Sequence, residues 1–135
     1  MFTGIVQALV SVRAIDHGDD LSRLTLELGK LGEGLQLGAS VAVNGTCLTV
    51  TAHKSGQTHF DIIKETLVTT NLKHLKDLTP VNVERSFKVG DEVGGHVVSG
   101  HVSTTAELVR LRKEGNDRVL TFAIAPRWQN YIFHK

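Results

Sequence analysis

Residues 40–50 read SVAVNGTCLTV. The stretch is rich in Val and Thr and is broken once, at Asn44-Gly45. That dipeptide is a strong signal for a turn or bulge, because both residues tolerate the positive φ that tight hairpins need. Strand character resumes straight after it. Ser40–Ala52 therefore predicts β structure, and parity sets Cys47 and Thr49 on one side of their strand.

Working outward, the periodicity stays mostly two. Leu24, Leu26 and Leu28 alternate with Thr25 and Glu27; Val81 and Val83 with Asn82 and Glu84; Leu120, Phe122 and Ile124 with Thr121 and Ala123. Each predicts a strand with one face buried. Phe2–Ile15, Thr58–Ile63 and His101–Arg112 also read as strands. Turn chemistry separates them at DHGDD (16–20), at the glycine-rich 31–38, at KSGQ (54–57) and at EGND (114–117). Helical signals are few: KETLVTT (64–70) suits a short helical turn, and PRWQNYIF (126–133) opens on Pro, a good first helical residue. Six or seven strands with short helices as plugs predict an all-β fold, a small closed antiparallel barrel in which closure removes exposed edges. No internal repeat and no low-complexity linker is evident.

The chain has 135 residues, the size of one ordinary domain, and 41% apolar residues, enough for one core. Fifteen basic and 14 acidic side chains leave a net charge of +1, which makes no electrostatic case for nucleic acid or an anionic membrane. No apolar run approaches the ~20 residues that span a bilayer. MFTGIVQ lacks the basic start and apolar core of a secretory signal, and the single Cys47 rules out an intramolecular disulfide. A cytoplasmic protein is the expectation. The chain stops abruptly at NYIFHK, which suggests a piece lacking a second half.

GGHVVSGHV (94–102) sets His96 and His101 among glycines. Five residues apart, the two point to opposite faces of a strand and diverge on a helix, so neither geometry makes a usual zinc pair. No metal is expected. The glycines allow close approach of backbone to a flat ligand, but a turn with ordinary histidines explains the same residues. Cys47 has no basic neighbour within five positions to lower its pKa, and a small buried hydrophobe is the simpler reading. DIIKET (61–66) marks a strand-to-helix junction with free backbone N–H groups, or simply solvated charge. Gly4, between β-formers in FTGIV, suggests another close approach. No Ser-His-Asp arrangement, phosphate loop or dinucleotide fingerprint is present.

Together the motifs carry more. MFTGIV (1–6), AVNGTCLTV (42–50), ETLVTTNL (65–72), VNVERS (81–86) and GGHVVSGHV (94–102), in this order, resemble the N-terminal half of the riboflavin synthase family. The resemblance runs the length of the chain, and MFTGIV and SGHV are its most diagnostic parts. It implies a six-stranded Greek-key barrel, one of two in tandem in the family, with residues 1–135 as a single lumazine-binding domain and a second barrel beginning after NYIFHK. It implies a dismutation of two 6,7-dimethyl-8-ribityllumazine molecules into riboflavin and 5-amino-6-ribitylamino-2,4-pyrimidinedione by transfer of a four-carbon unit, without metal or organic cofactor.

Carried over motif by motif, the resemblance implies a pocket. Gly4, Ile5 and Val6 come from the first strand, and Cys47, Leu48 and Thr49 from NGTCLTV. Asp61, Ile62, Ile63, Lys64, Glu65 and Thr66 form the junction. Gly100, His101 and Val102 close the site, with Lys135 at the chain end. Ser40, Cys47 and His101 are the candidate catalytic residues, His101 for proton transfer or substrate orientation, while His96 is structural. The implied partners are the lumazine and riboflavin, with a homotrimer for a two-barrel chain and a homodimer for this single barrel. A non-catalytic lumazine- or flavin-binding protein on the same barrel is the alternative. A barrel that only mediates protein contacts would bind neither.

Overall fold

The alternation of Val, Ile, Leu and Thr with polar residues translates into six antiparallel strands that close on one another. The computed structural model describes residues 1–134. The strands are β1 Ala8–His17, β2 Leu21–Glu27, β3 Ser40–Val43, β4 Thr46–Lys54, β5 Gln57–Ile63 and β6 Pro80–Arg85. They follow the order β1-β2-β5-β4-β3-β6, and β6 pairs back onto β1. This is a closed six-stranded Greek-key barrel, as the family resemblance implies; the periodicity alone predicts a closed antiparallel barrel of six or seven strands. Leu24, Leu26, Val41, Val43, Phe60, Val81 and Val83 fill its interior at 0–1% exposure.

Turn residues set the registers. Asn44 and Gly45 adopt φ of 48° and 79°, the two left-handed residues of a type I′ hairpin, and Val43 pairs with Thr46 across them. Ser55 and Gly56, at 54° and 78°, do the same between β4 and β5. Asn44-Gly45 is thus a turn rather than a bulge, and it divides Ser40–Ala52 between β3 and β4. After β5 a short helix, α1 Lys64–Thr69, and a 3-10 turn, Asn71–His74, cover one end of the barrel. Leu72 and Leu75 sink into the core from there, and Leu67 packs against it. The Thr70 hydroxyl caps the 3-10 turn by accepting from the Leu72 N–H.

The first strand is shorter than its composition suggests. Gly4 takes a φ of 78°, so Phe2 and β1 are separate: Phe2 forms an isolated bridge with Val98. The strand predicted over His101–Arg112 also starts late, at Glu107.

The chain divides into two compact units, 1–103 and 104–135. Within the second, β7 Glu107–Glu114 and β8 Asp117–Ala123 pair only with each other, followed by a 3-10 turn at Pro126–Tyr131. The barrel is complete without them. Leu120 and Phe122, predicted to be buried on one face, are therefore 51% and 55% exposed.

The second unit repeats the opening hairpin of the first. Val12 pairs with Leu26 and Leu108 with Phe122; Ala14 pairs with Thr25 and Arg110 with Thr121. Each partner lies 96 residues beyond its counterpart, and the same bulge interrupts both ladders, at Val12/Ala14 and Leu108/Arg110. Gly4 and Gly100 share the spacing and nearly the same φ, 78° and 76°. Over residues 4–28 only Gly4, Val6, Leu24 and Thr25 are identical to their counterparts, which is why no repeat is evident in the sequence.

Candidate functional site

A cavity of about 400 Å³ opens where β4 begins and β5 ends. Antiparallel neighbours bring those two ends together, so one strand supplies Thr46 and Cys47 while the other delivers Ile63 at its terminus. The turn into α1 adds Glu65 and Thr66, then Thr69 and Thr70. The remaining wall is an extended segment, Gly100–Ser103. Three motifs far apart in sequence thus meet around one space.

The 100–103 wall is fastened on two sides. The Cys47 N–H donates to the Gly100 carbonyl at 2.9 Å. Phe2 and Val98 exchange both backbone bonds, at 2.8 and 2.9 Å, and the Phe2 ring is buried. The N-terminal segment is itself clamped by Glu84, a carboxylate 7% exposed on β6. Its Oε1 accepts from the Thr3 N–H and hydroxyl (2.5 and 2.7 Å), and its Oε2 from the Gly4 N–H at 3.1 Å. These bonds connect β6 through residues 2–4 and 98–100 to Cys47, which leaves His101 on a supported strip of backbone with its side chain exposed.

The lining is hydroxyl-rich and nearly uncharged. Five hydroxyl side chains, a thiol, one carboxyl (Glu65) and one imidazole (His101) share it with Ile63, Val102 and Gly100. Such a wall suits a neutral, polyhydroxylated or amide-edged ligand, which needs donors and acceptors rather than counter-charge. Among the described residues no three His, Cys, Asp or Glu side chains converge as a metal site.

Residues 3–86 match the family described as the Lumazine binding domain. The chain belongs to that family. The matched span coincides with the closed barrel, and all of this chain aligns with the riboflavin synthase of Escherichia coli (strain K12) at 44% identity. The chain spans 64% of that relative's length. Among solved structures it is similar to LumP complexed with riboflavin, with a TM-score of 0.86, 26% identity and coverage of 98% of this chain and 72% of that one. It is likewise similar to LumP complexed with 6,7-dimethyl-8-(1'-D-ribityl) lumazine, at a TM-score of 0.82 and 27% identity, covering 93% and 70%.

Of the residues picked from the sequence, Cys47, Ile63, Glu65, Thr66, Gly100, His101 and Val102 line this one cavity. Others lie elsewhere. Leu48 and Ile62 are core residues at 5% and 1% exposure and do not line the cavity. Thr49 and Ser40 face each other across β4 and β3, on the same outward face as Cys47, without lining the cavity. Asp61 is held by Arg23 directly across the β2–β5 ladder, at 2.8 and 3.2 Å. That guanidinium holds the Asp61 carboxyl below its ordinary range, and the carboxylate raises Arg23 in return. The Lys64 side chain is exposed and outside the cavity lining.

Ile5 lines a different hollow of about 520 Å³ with Thr3, Glu84 and Gly94; the Gly4 N–H is engaged by Glu84, and Val6 is 52% exposed. Lys135 lies outside the described residues. His96 acts through its backbone, donating to the Thr3 carbonyl at 3.0 Å.

Sequence reasoning missed Thr46, Thr69, Thr70, Ser103 and the clamp Glu84, although all but Ser103 sit inside the quoted motifs. The spacing of Thr66 and Thr70, four residues apart in a helical segment, was the available signal for a shared face. Nothing local in VNVERS marks Glu84 as a partner for residues 3 and 4.

Proposed function

We propose that this chain binds 6,7-dimethyl-8-ribityllumazine and riboflavin in the cavity beside Cys47 and His101, and is the lumazine-binding part of a riboflavin synthase. One observation carries the reading: Cys47, Glu65-Thr66 and Gly100–Val102, from three separate motifs, wall a single hydroxyl-rich space on a family barrel. The alignment with riboflavin synthase of E. coli supports it.

The chemistry asked of the site is chiefly positioning. Two lumazines must stack with their methyl-bearing edges in register, and a four-carbon unit then passes from one to the other. The 7-methyl carbanion delocalises into the ring, so its proton is acidic and a modest base suffices. His101 is the proton-handling or orienting group. Cys47 and Ser40 are the polar residues nearby, with Cys47 at the cavity and Ser40 two register positions along the same face.

A second lumazine needs a second barrel. The hairpin β7–β8 repeats the register of β1–β2, which supports reading it as the start of a second family barrel. A chain with one closed barrel holds one substrate, so it binds well and turns over poorly. It forms a homodimer that imitates the tandem, a two-barrel chain a homotrimer, both in the cytoplasm. Among the described residues no helix is long and apolar enough to cross a membrane.

The likeness to LumP with riboflavin bound favours a second reading, a flavin- or lumazine-binding protein without turnover. Fluorescence titration with riboflavin and the lumazine, followed by assay for riboflavin formation, separates the two. One ligand per chain with slow but measurable turnover supports the synthase reading. Tight binding with no turnover, alone or mixed with a complete synthase whose own first-barrel site is inactivated, favours the second. No binding overturns both.

A further inference from the structure

The hydroxyls of the cavity wall are not equivalent. Thr70 donates to the Thr66 carbonyl at 2.6 Å, and Thr69 to the Glu65 carbonyl at 3.0 Å, so both spend their protons on α1. Thr46 differs. It opens β4 on the cavity wall at 4% exposure, and its Oγ1 is buried without any hydrogen-bond partner among the described residues. A hydroxyl closed off from water and unpaired is costly, and native structures keep few of them without a use. A methyl-bearing side chain of the same shape would fill this place without that cost, so packing does not account for Thr46.

We propose that Thr46 is a ligand-contacting residue of this cavity, its hydroxyl donating to a carbonyl or hydroxyl oxygen of the bound heterocycle or its polyol chain. The inference rests on the cavity being the ligand site proposed above and adds a contact which that reading does not contain. Two features favour the contact. The hydroxyl proton rotates about its C–O bond, and a step between staggered χ1 wells is the motion by which the closed-off Oγ1 reaches a ligand oxygen in the cavity. Because water is excluded from the oxygen, a ligand bond formed there displaces no solvent bond on the protein side. Position 46 then discriminates for ligands that carry an oxygen at this depth and against those that present carbon.

The test compares wild type, Thr46→Val and Thr46→Ser by riboflavin fluorescence titration, with a thermal melt of each unliganded protein. T46V keeps the shape and removes the hydroxyl. It is expected to weaken riboflavin binding about fivefold or more while melting no lower than wild type, and T46S is expected to bind as wild type does. Wild-type affinity in T46V overturns the proposal. So does a T46V protein that melts lower or fails to fold, because the hydroxyl is then bonded within the protein. Loss of affinity in T46S as large as in T46V overturns it too, since the methyl group is then the contact. Failure of the wild type to bind riboflavin removes the cavity reading itself and the inference with it, and is distinguished by requiring no variant.

Discussion

Gly100 stands so close to Cys47 that a Cβ at position 100 would lie 2.9 Å from Cys47 Cβ and 3.1 Å from both the Cys47 nitrogen and a Phe2 ring carbon. The φ of 76° at Gly100 already disfavours any side chain. Both constraints exist because the segment carrying His101 is held flat against β4 by the Cys47 N–H. Gly100→Ala is expected to cost about 2 kcal/mol or more, from backbone strain and overpacking together, and to weaken riboflavin binding. Gly4→Ala is the control. It has a similar φ of 78° but nothing within 4 Å of the added Cβ, so only the strain, about 1 kcal/mol, applies. Denaturant titration of the two variants tests the difference; equal losses would mean that contact with Cys47 is not limiting.

Glu84 is expected to govern the order of the N-terminal segment. Glu84→Ala leaves the Thr3 and Gly4 N–H groups without their acceptor and should cost about 2 kcal/mol. Glu84→Gln keeps an oxygen acceptor but loses the charge, and should fall between. Amide hydrogen exchange at Thr3 and Gly4 should speed up in both variants, and exchange at Phe2 and Val98 should follow through the bridge they share.

His101→Ala should separate binding from folding. The imidazole is exposed, so the melting temperature should stay within the range of ordinary surface changes, about 0.5 kcal/mol in stability. Ligand affinity or residual turnover should fall. A variant with unchanged binding and turnover would remove His101 from the site.

The Arg23–Asp61 pair predicts a pH effect at the acid end. Asp61 has a folded pKa below its ordinary value, so the stability it contributes is fully present above that ordinary value. It is lost as the pH falls through the lowered folded value. Asp61→Asn should therefore lower the melting temperature slightly at neutral pH, where the pair contributes, and converge with wild type in acid, so that the fall with pH is flatter; the neutral loss is small because Arg23 is 57% exposed. A steeper acid fall in the variant would contradict the assignment.

The barrel should not need the hairpin that follows it. Its six strands close within residues 8–85, and the site wall is complete at Ser103. A chain ending at Ser103 is expected to keep the thermal midpoint of the barrel transition to within a few degrees. It should also lose the exposed apolar surface of Leu108, Leu120 and Phe122. A large drop in the midpoint would show that 104–134 stabilises the barrel.

The sequence by itself determined the class of fold. Alternating Val, Leu and Ile bury one face of each strand, and Asn44-Gly45 and Ser55-Gly56 can hardly do anything but reverse the chain between paired strands. The motifs it quoted also contain most of the cavity lining, because a pocket wall recruits particular residue types in short runs. Tertiary structure decided the rest. Only strand order brings the start of β4 to the end of β5 and lays residues 98–103 across them, so nothing local showed that Thr46 is buried and unpaired or that Ser40 falls outside the cavity. Glu84 and Thr3 are 81 residues apart, and their bond depends on closure of β6 against β1. The repeat of the opening hairpin was invisible for a similar reason. A ladder and its bulge need alternation and twist rather than identity, so the register persists 96 residues later with only four matching side chains over residues 4–28.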